Sequence, residues 1–133
     1  MAALDTNVLV RFLVRDDTAQ LATAKALISR YVSKGEALFV PVTVALELEW
    51  VLRSNFGFAK AVVTRTLSQL LGTSEMRFES ESALELALVH YGRSSADFSD
   101  CLHVALATLA NEQPLWTFDR AAAKLEGARL LMT

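Results

Sequence analysis

The chain has 133 residues, enough for one ordinary domain with its own core, and we expect a single domain over residues 1–133. Hydrophobic residues make up 53% and charged residues 21%, which excludes a disordered chain, and no apolar run reaches the ~20 residues that a transmembrane helix needs. The net charge of −2 excludes binding to nucleic acid by bulk positive charge, and the single cysteine, Cys101, excludes an intrachain disulfide and fits a reducing, cytoplasmic setting.

Short apolar strands alternate with helical patterns along the chain, and this order predicts an α/β fold with a mainly parallel sheet. Glycine and proline are scarce, so the elements follow one another closely. In chain order we expect a strand at residues 2–4, helices at 7–14 and 19–33, a strand at 37–40, helices at 43–54 and 58–71 and a strand at 76–78. A helix at 80–92 follows, then a helix that starts at Asp97 or Ser99 and runs to 110, a strand at 115–118, a short helix at 119–125 and a last strand at 128–132.

Two aspartates come directly after predicted strands. Asp5 follows the strand at 2–4, and Asp119 follows the strand at 115–118. Each residue taken alone is explained by an N-cap of the next helix, a role that aspartate often fills. Both also lie at carboxyl ends of predicted parallel strands, the edge of an α/β sheet where ligands bind. Helix cap and metal ligand therefore both stay open, and the two carboxylates should converge if their strands are neighbours.

Further acids lie within predicted helices. Residues three and four positions from Glu47 are mostly apolar, so we expect Glu47 to face inward, whereas Glu49 has Arg53 four residues on and is expected on the surface. Asp97 and Asp100 are three residues apart at a helix start, and Asp100 shares its helix face with apolar residues. The alternative interpretations are an acid at the edge of the core for Glu47 and a capping pair for the two aspartates.

The residue types favour a hard cation over zinc. Carboxylate oxygens suit Mg²⁺ and Mn²⁺, and a buried carboxylate is costly unless it is paired or bound to a cation. Neither His90 nor His103 has a histidine or cysteine partner at a zinc-binding spacing, and we interpret His103 as an ordinary helix residue. The sequence also lacks a glycine-rich phosphate loop and the elbow of a serine hydrolase.

Four acidic segments follow one another in a set order. They are Asp5-Thr6-Asn7, Val44-Ala45-Leu46-Glu47-Leu48, Asp97-Phe98-Ser99-Asp100 and Thr117-Phe118-Asp119-Arg120. No single segment is specific, but together they resemble the PIN-domain family, and most of all its VapC-type toxins of bacterial toxin–antitoxin pairs. The resemblance covers nearly the whole chain. It implies a three-layer sandwich, in which helices cover both faces of a mainly parallel central sheet of four or five short strands.

The resemblance also implies an activity and a set of site residues. The activity is endoribonuclease cleavage that depends on Mg²⁺ or Mn²⁺. The implied catalytic residues and metal ligands are the acidic quartet of Asp5, Glu47, Asp100 and Asp119, with Asp97 as an assisting ligand. Thr6 and Asn7 would orient Asp5 or nearby water, and Thr117 would support Asp119. The family further implies a homodimer and a small antitoxin that inserts a segment across the active site.

Chemistry of this kind supports hydrolysis of an RNA phosphodiester by metal-activated water. Among the arginines near the acidic segments, Arg120 is the one we expect to contact an RNA phosphate, because it adjoins Asp119. Arg11, Arg15 and Arg93 are further candidates, and ordinary surface charge is the alternative for each. The helices at 43–54 and 58–71 either pack into the core or form an apolar surface for a dimer or an antitoxin.

Three other functions compete with an RNA-cleaving enzyme. A phospho-acceptor domain also gathers acids and Mg²⁺ at strand ends, but it needs paired acids after the first strand and a lysine after a late strand, which this sequence does not place. A non-catalytic binding module on a similar fold would keep the acids only as caps. A nuclease that cuts DNA is equally compatible with the acids, because a carboxylate–metal site contacts the phosphate and not the sugar.

Overall fold

The computed structural model describes the whole chain, Met1–Thr133, as seven helices and four short strands. The elements in chain order are α1 (Thr6–Val14), α2 (Thr18–Val32), β1 (Leu38–Val40), α3 (Val42–Ser54), α4 (Lys60–Leu71), β2 (Met76–Phe78), α5 (Glu81–Arg93), α6 (Phe98–Leu109), β3 (Leu115–Thr117), α7 (Arg120–Ala123) and β4 (Ala128–Leu130). They begin and end within a residue or two of the predicted positions. The predicted strand at 2–4 is reduced to a single parallel bridge, between Ala3 and Phe39.

The chain divides into two compact units, Met1–Glu79 and Ser80–Thr133. In the first unit β1 and β2 pair in parallel, with Leu38 opposite Met76, and the bridge at Ala3 joins the other edge of β1. Side chains alternate along a strand, and both ends of β1 and of β2 are buried while their central residues are not. The helix pairs α1–α2, α1–α3 and α3–α4 pack against each other in this unit.

The amphipathic helices supply the core of the first unit. The interior side chains of α4 are Val63, Leu67 and Leu70, and those of α3 include Leu48 and Leu52, which are both fully buried. Burying each such side chain stabilises the fold by about 1.5–3 kcal/mol. These residues of α3 and α4 therefore pack into the core, which is the first of the two alternatives considered for these helices.

In the second unit α5 and α6 form an extensive helix pair. The rings of Tyr91 and Phe98 meet edge to face, with their centroids 5.3 Å apart, and Cys101 lies fully buried on α6. Strands β3 and β4 pair in parallel, with Trp116 opposite Arg129, and the short helix α7 connects them. Gly127 enters β4 at φ +95°, where a Cβ would lie 3.1 Å from Thr108 Oγ1, so glycine is required at this turn.

The predicted α/β class with parallel strands is confirmed. The strands hydrogen-bond as two separate two-stranded sheets, one in each unit, where the prediction had a single sheet of four or five strands. Each strand has only three residues, so each pairing rests on few hydrogen bonds. None of the helices combines the length and the hydropathy that crossing a membrane requires.

Candidate active site

Asp5 begins α1 as its N-cap, directly after the buried Leu4. Its backbone is extended, at φ −84° and ψ 163°, and its Oδ1 accepts a hydrogen bond of 2.8 Å from the N–H of Thr6. This is the cap that the sequence suggested. The side chain is nevertheless exposed, and the cap uses only Oδ1, so Oδ2 is left for another ligand.

Thr6 connects Asp5 to a second carboxylate. Its hydroxyl donates a short hydrogen bond to Glu47 Oε1, which α3 supplies from far along the chain. Because Thr6 is only 3% exposed, the packing around it fixes the direction of this hydroxyl. One threonine therefore holds Asp5 through its N–H and Glu47 through its hydroxyl. Asn7, predicted to assist beside Thr6, is exposed and its side chain makes no hydrogen bond within the protein.

The predicted placement of Glu47 and Glu49 was wrong. Glu47 is exposed, whereas Glu49 is only 2% exposed and its Oε2 accepts a hydrogen bond of 2.8 Å from Arg53 Nε. An ion pair of this spacing does not require both residues to be on the surface. The side chain of Arg53 reaches the solvent, whereas that of Glu49 stays within the core. The buried residues of α3 are Ala45, Leu48, Glu49 and Leu52, and their helical spacing is the signal that would have placed Glu49 correctly.

Glu79 is a residue of this unit that the sequence analysis missed. It directly follows β2, and its Oε1 accepts a hydrogen bond of 2.8 Å from the N–H of Val42, the first residue of α3. Pro41, the N-cap of that helix, offers no side-chain acceptor, so Glu79 performs the cap from another part of the chain. Its place after a strand matches that of Asp5 and Asp119, and this was the available signal.

The second unit holds the remaining predicted acids around the start of α6. Asp97 is the N-cap of this helix by its backbone conformation, but its side chain makes no capping hydrogen bond. Asp100 lies in the first turn and is half-buried. Burial raises the pKa of Asp100, and the negative charges of Asp119 and Asp97 raise it further, whereas His103 opposes them. The structure thus brings Asp97, Asp100 and Asp119 near one another.

His103 is a further neighbour of Asp100, although the sequence predicted only an ordinary helix residue at this position. It follows Asp100 by three positions and is exposed, so the two side chains lie on the same side of α6. Its influence on the pKa of Asp100 shows that it belongs to the surroundings of the acids. The spacing of three residues was the signal in the sequence.

Asp119 repeats the arrangement of Asp5. It is the N-cap of α7, and its Oδ1 accepts a hydrogen bond of 2.8 Å from the N–H of Ala122, which leaves Oδ2 for another ligand. Thr117 Oγ1 accepts a hydrogen bond of 3.0 Å from the N–H of Asp119, so the threonine contacts the backbone of this acid. Arg120 is exposed and has no ion pair, whereas Arg11 is paired with Asp16 at 2.8 Å.

The donor atoms of both groups fit a hard divalent cation. Every candidate ligand is a carboxylate oxygen, and the negative charges that add to the effect of burial in raising the pKa of Asp100 are of the kind that a bound cation relieves. Within each unit, however, no three His, Cys, Asp or Glu side chains are gathered closely enough to hold a metal ion. The first unit contributes Asp5 and Glu47, and the second contributes Asp97, Asp100 and Asp119.

Comparison with known proteins identifies the fold family. Residues 2–128 match the PIN domain, a span that contains all four acidic segments. The chain belongs to the PIN domain family. This PIN domain is also similar to a VapC ribonuclease of Aquifex aeolicus (strain VF5), at 26% identity over 125 residues, which cover 94% of this chain and 92% of that protein. The resemblance found from the four acidic segments is therefore confirmed.

Proposed function

We propose that this PIN domain is a metal-dependent endoribonuclease of the VapC type, the toxin of a toxin–antitoxin pair, which hydrolyses phosphodiester bonds of RNA. The observation that carries the proposal is the group of acids at the start of α6, where burial and then the negative charges of Asp119 and Asp97 raise the pKa of Asp100. Such an arrangement is unfavourable for folding alone and becomes favourable with a cation. The name of the Aquifex aeolicus relative supports ribonuclease activity.

The proposed ligands of Mg²⁺ or Mn²⁺ are Asp5, Glu47, Asp100 and Asp119, assisted by Asp97. The two capping aspartates fit this role because each cap occupies one carboxylate oxygen and fixes the direction of the other. When bound, the ion would supply an activated water and offset negative charge at the phosphate.

The other side chains of the site keep the ligands in place. The N–H of Thr6 donates to Asp5 and its hydroxyl donates to Glu47, so one buried residue orients both carboxylates. Thr117 acts differently: its hydroxyl oxygen accepts from the N–H of Asp119 and so holds the backbone of this acid from the side of β3. Arg120, exposed and unpaired beside Asp119, is the proposed contact for an RNA phosphate.

An antitoxin follows from the same charges. A partner segment that carries an arginine would be attracted to the carboxylates and would compete with the cation, since arginine forms bidentate bonds with carboxylate. The homodimer and the cytoplasmic location stay predictions.

The test is cleavage of a panel of structured RNAs by the purified chain in Mg²⁺ or Mn²⁺, with EDTA as the control. Asp5→Asn should slow cleavage roughly 100-fold or more, because loss of a metal ligand removes several kcal/mol of transition-state stabilisation. Asp17→Asn is the matched control: Asp17 is also an N-cap aspartate, with its side chain accepting from Gln20 at 3.0 Å, and it lies outside the proposed site. Full activity in excess EDTA, or equal losses in the two variants, would contradict the proposal.

A non-catalytic binding module is the second candidate, and one observation favours it. Asp5 and Asp119 are both true helix caps, so their presence is explained without a metal. Folded protein that neither cleaves RNA nor binds Mn²⁺ would support this alternative. Nothing in the structure favours a phospho-acceptor domain.

A further inference from the structure

Two exposed aromatic side chains, one on β3 and one directly after it, precede Asp119. Trp116 is 54% exposed and Phe118 is 66% exposed, whereas Leu115 before them and Thr117 between them are half-buried. Trp116 is the central residue of β3, and Phe118 directly follows the strand, so the two exposed rings are separated only by Thr117. We call Trp116, Phe118 and Arg129 the aromatic face.

Arg129 extends this surface on the neighbouring strand. It is opposite Trp116 in the parallel register, and its guanidinium carbon lies 5.7 Å from the centroid of the Trp116 ring. Arg129 has no carboxylate partner, so its charge is available to a ligand. The aromatic face therefore offers π faces together with positive charge, and Arg120 adds a second cation just beyond Asp119.

We infer that the aromatic face binds unpaired bases of single-stranded RNA beside the bond that is cleaved. The inference rests on the proposed function, and it adds where the substrate lies and which form of RNA is bound. Aromatic rings stack on any base, and arginines beside them meet the phosphates, which is the combination that binds single strands. Position favours this ligand too, because only one residue separates Thr117, the end of β3, from the proposed metal ligand Asp119.

The spacing of the rings suits a single strand. Trp116 and Phe118 are two residues apart, so their backbones lie at most about 7 Å apart, which is about two steps of stacked bases at roughly 3.4 Å each. Two bases of one strand, no more than two steps apart, can therefore reach Trp116 and Phe118. In a double-stranded RNA the base faces are covered by their neighbours and the major groove is too narrow for side chains, so a duplex cannot use this surface.

A second copy of this chain is the rival occupant, because exposed aromatic rings also occur in protein interfaces. The unpaired charges of Arg129 beside Trp116 and Arg120 beyond Asp119 favour RNA, because a second copy would bring the same positive charges together whereas RNA supplies phosphates. The experiment below separates the two occupants.

The test measures binding of a fluorescein-labelled single-stranded oligoribonucleotide by anisotropy, in EDTA, to full-length protein carrying Asp5→Asn to prevent cleavage. Adding Trp116→Ala or Phe118→Ala should raise the Kd roughly 10-fold, as the loss of one stacked base does. Trp50→Ala is the matched control, because Trp50 is also a tryptophan 54% exposed but belongs to the other unit. Its Kd should equal that of the parent protein. With an oligonucleotide of abasic residues, all four proteins should bind alike.

Several outcomes would overturn the inference: no RNA binding by the parent, an unchanged Kd for Trp116→Ala, or an equal loss with the abasic strand. If Trp116→Ala left the Kd unchanged but had a lower mass in sedimentation than the parent protein, the aromatic face would be assigned to contact with a second copy. Far-UV circular dichroism checks that each variant is folded.

The nuclease proposal is tested separately by cleavage in Mn²⁺ without Asp5→Asn. Absence of cleavage with binding that still depends on Trp116 would reject the nuclease and support the aromatic face. Cleavage with a KM that Trp116→Ala does not change would reject the aromatic face alone.

Discussion

Thr6 is the residue on which the geometry of the first unit depends. It is nearly fully buried, and it donates hydrogen bonds to the carboxylates of both Asp5 and Glu47. A threonine can do this because its N–H and its hydroxyl point to different partners. Packing of its methyl group keeps the hydroxyl in one direction, so two flexible acids are held by one rigid neighbour.

Thr6→Val tests this role, because valine keeps the shape and removes only the hydroxyl. We expect the free energy of unfolding to fall by no more than about 1 kcal/mol, since Glu47 is exposed and water can replace the lost donor. RNA cleavage should fall roughly 10-fold or more, as it does when a group that orients a metal ligand is removed. Urea unfolding and kcat measure the two effects. Thr6→Ser keeps the hydroxyl and should retain most of the activity; equal losses in both variants would contradict the role.

Asp100 should make the metal-free protein less stable at neutral pH. Its pKa is raised in the folded state, chiefly by burial, so the folded state binds a proton at this carboxyl more tightly than the unfolded state does. The ionised carboxylate therefore lowers the free energy of unfolding. This loss is fully present above the pKa of Asp100 in the folded state, and it disappears as the pH falls below the ordinary pKa of an aspartate. Asp100→Asn should therefore stabilise the metal-free protein at pH 7, by no more than about 1 kcal/mol, the size typical of partly exposed charges. The gain should vanish at low pH.

Thermal unfolding in EDTA, followed by circular dichroism at several pH values, measures the effect of Asp100→Asn. Adding Mn²⁺ should reverse the order of stability, because the variant lacks a ligand. A variant that is less stable than the wild type in EDTA at pH 7 would show that Asp100 contributes to folding in another way.

The sequence located some of these residues and not others, and the reason is local. Asp5 and Asp119 could be found because each stands directly after an apolar strand. Glu47 was predicted to be buried and Glu49 to be exposed, and the structure shows the reverse. The i,i+4 pair of Glu49 with Arg53 favoured a surface position, whereas the helical spacing of the buried residues places Glu49 in the core. The contact between Thr6 and Glu47 joins residues 41 positions apart, and no local pattern predicts such a contact.

At the scale of elements, α3 begins without a cap of its own. Pro41 stands at its N-cap, and the N–H of Val42 is bonded by Glu79, which follows β2. Because β1 leads into α3 and pairs with β2, this bond closes the junction between the sheet and the helix that carries Glu47.

Glu79→Ala should lower the free energy of unfolding by about 1 kcal/mol, the usual value of a helix cap. It should also lower kcat, since Glu47 moves with the start of its helix. Glu79→Gln keeps an oxygen acceptor and is the matched control, for which we expect a much smaller effect. Urea unfolding measures the stability of the three proteins. A loss in the glutamine variant as large as in the alanine variant would point to the charge of Glu79 and not to the cap.

The helices could be predicted more fully than the sheets. A helix of 12 or 13 residues, such as α4 or α5, repeats its apolar spacing several times, and its ends are marked by Gly72 and by the polar stretch before Glu81. The strands have three residues each, so the sequence showed where they lie but not how they pair. The pairing of β1 with β2 is decided by residues far apart in the chain.

At the scale of the whole molecule, the chain consists of two units, each with its own parallel strand pair. The sequence predicts a single domain over all 133 residues. The unit Ser80–Thr133 is smaller than the ~70–80 residues below which a core alone rarely supports a stable fold. We therefore expect it to depend on the rest of the chain.

Two tryptophans allow a test, because Trp50 lies in the first unit and Trp116 in the second. In Trp116→Phe the fluorescence reports on the first unit, and in Trp50→Phe on the second. Urea unfolding should give the same midpoint in both variants, and circular dichroism should agree with fluorescence in each. Two distinct midpoints, reproduced by circular dichroism as two steps, would mean that the units unfold independently and that the chain is not a single domain.

Chemical labelling of Cys101, the one cysteine, can measure transient opening of the structure around α6, which RNA cleavage does not measure. Cys101 has no exposed surface, so a thiol reagent can reach it only when α6 separates transiently from its neighbours. The labelling rate in native buffer then measures the free energy of that opening. Since the first turn of α6 carries Asp100, a divalent cation bound there should slow labelling in proportion to its occupancy. Cys101 directly follows the proposed metal ligand Asp100, so its labelling rate can measure metal binding to the protein in the absence of RNA.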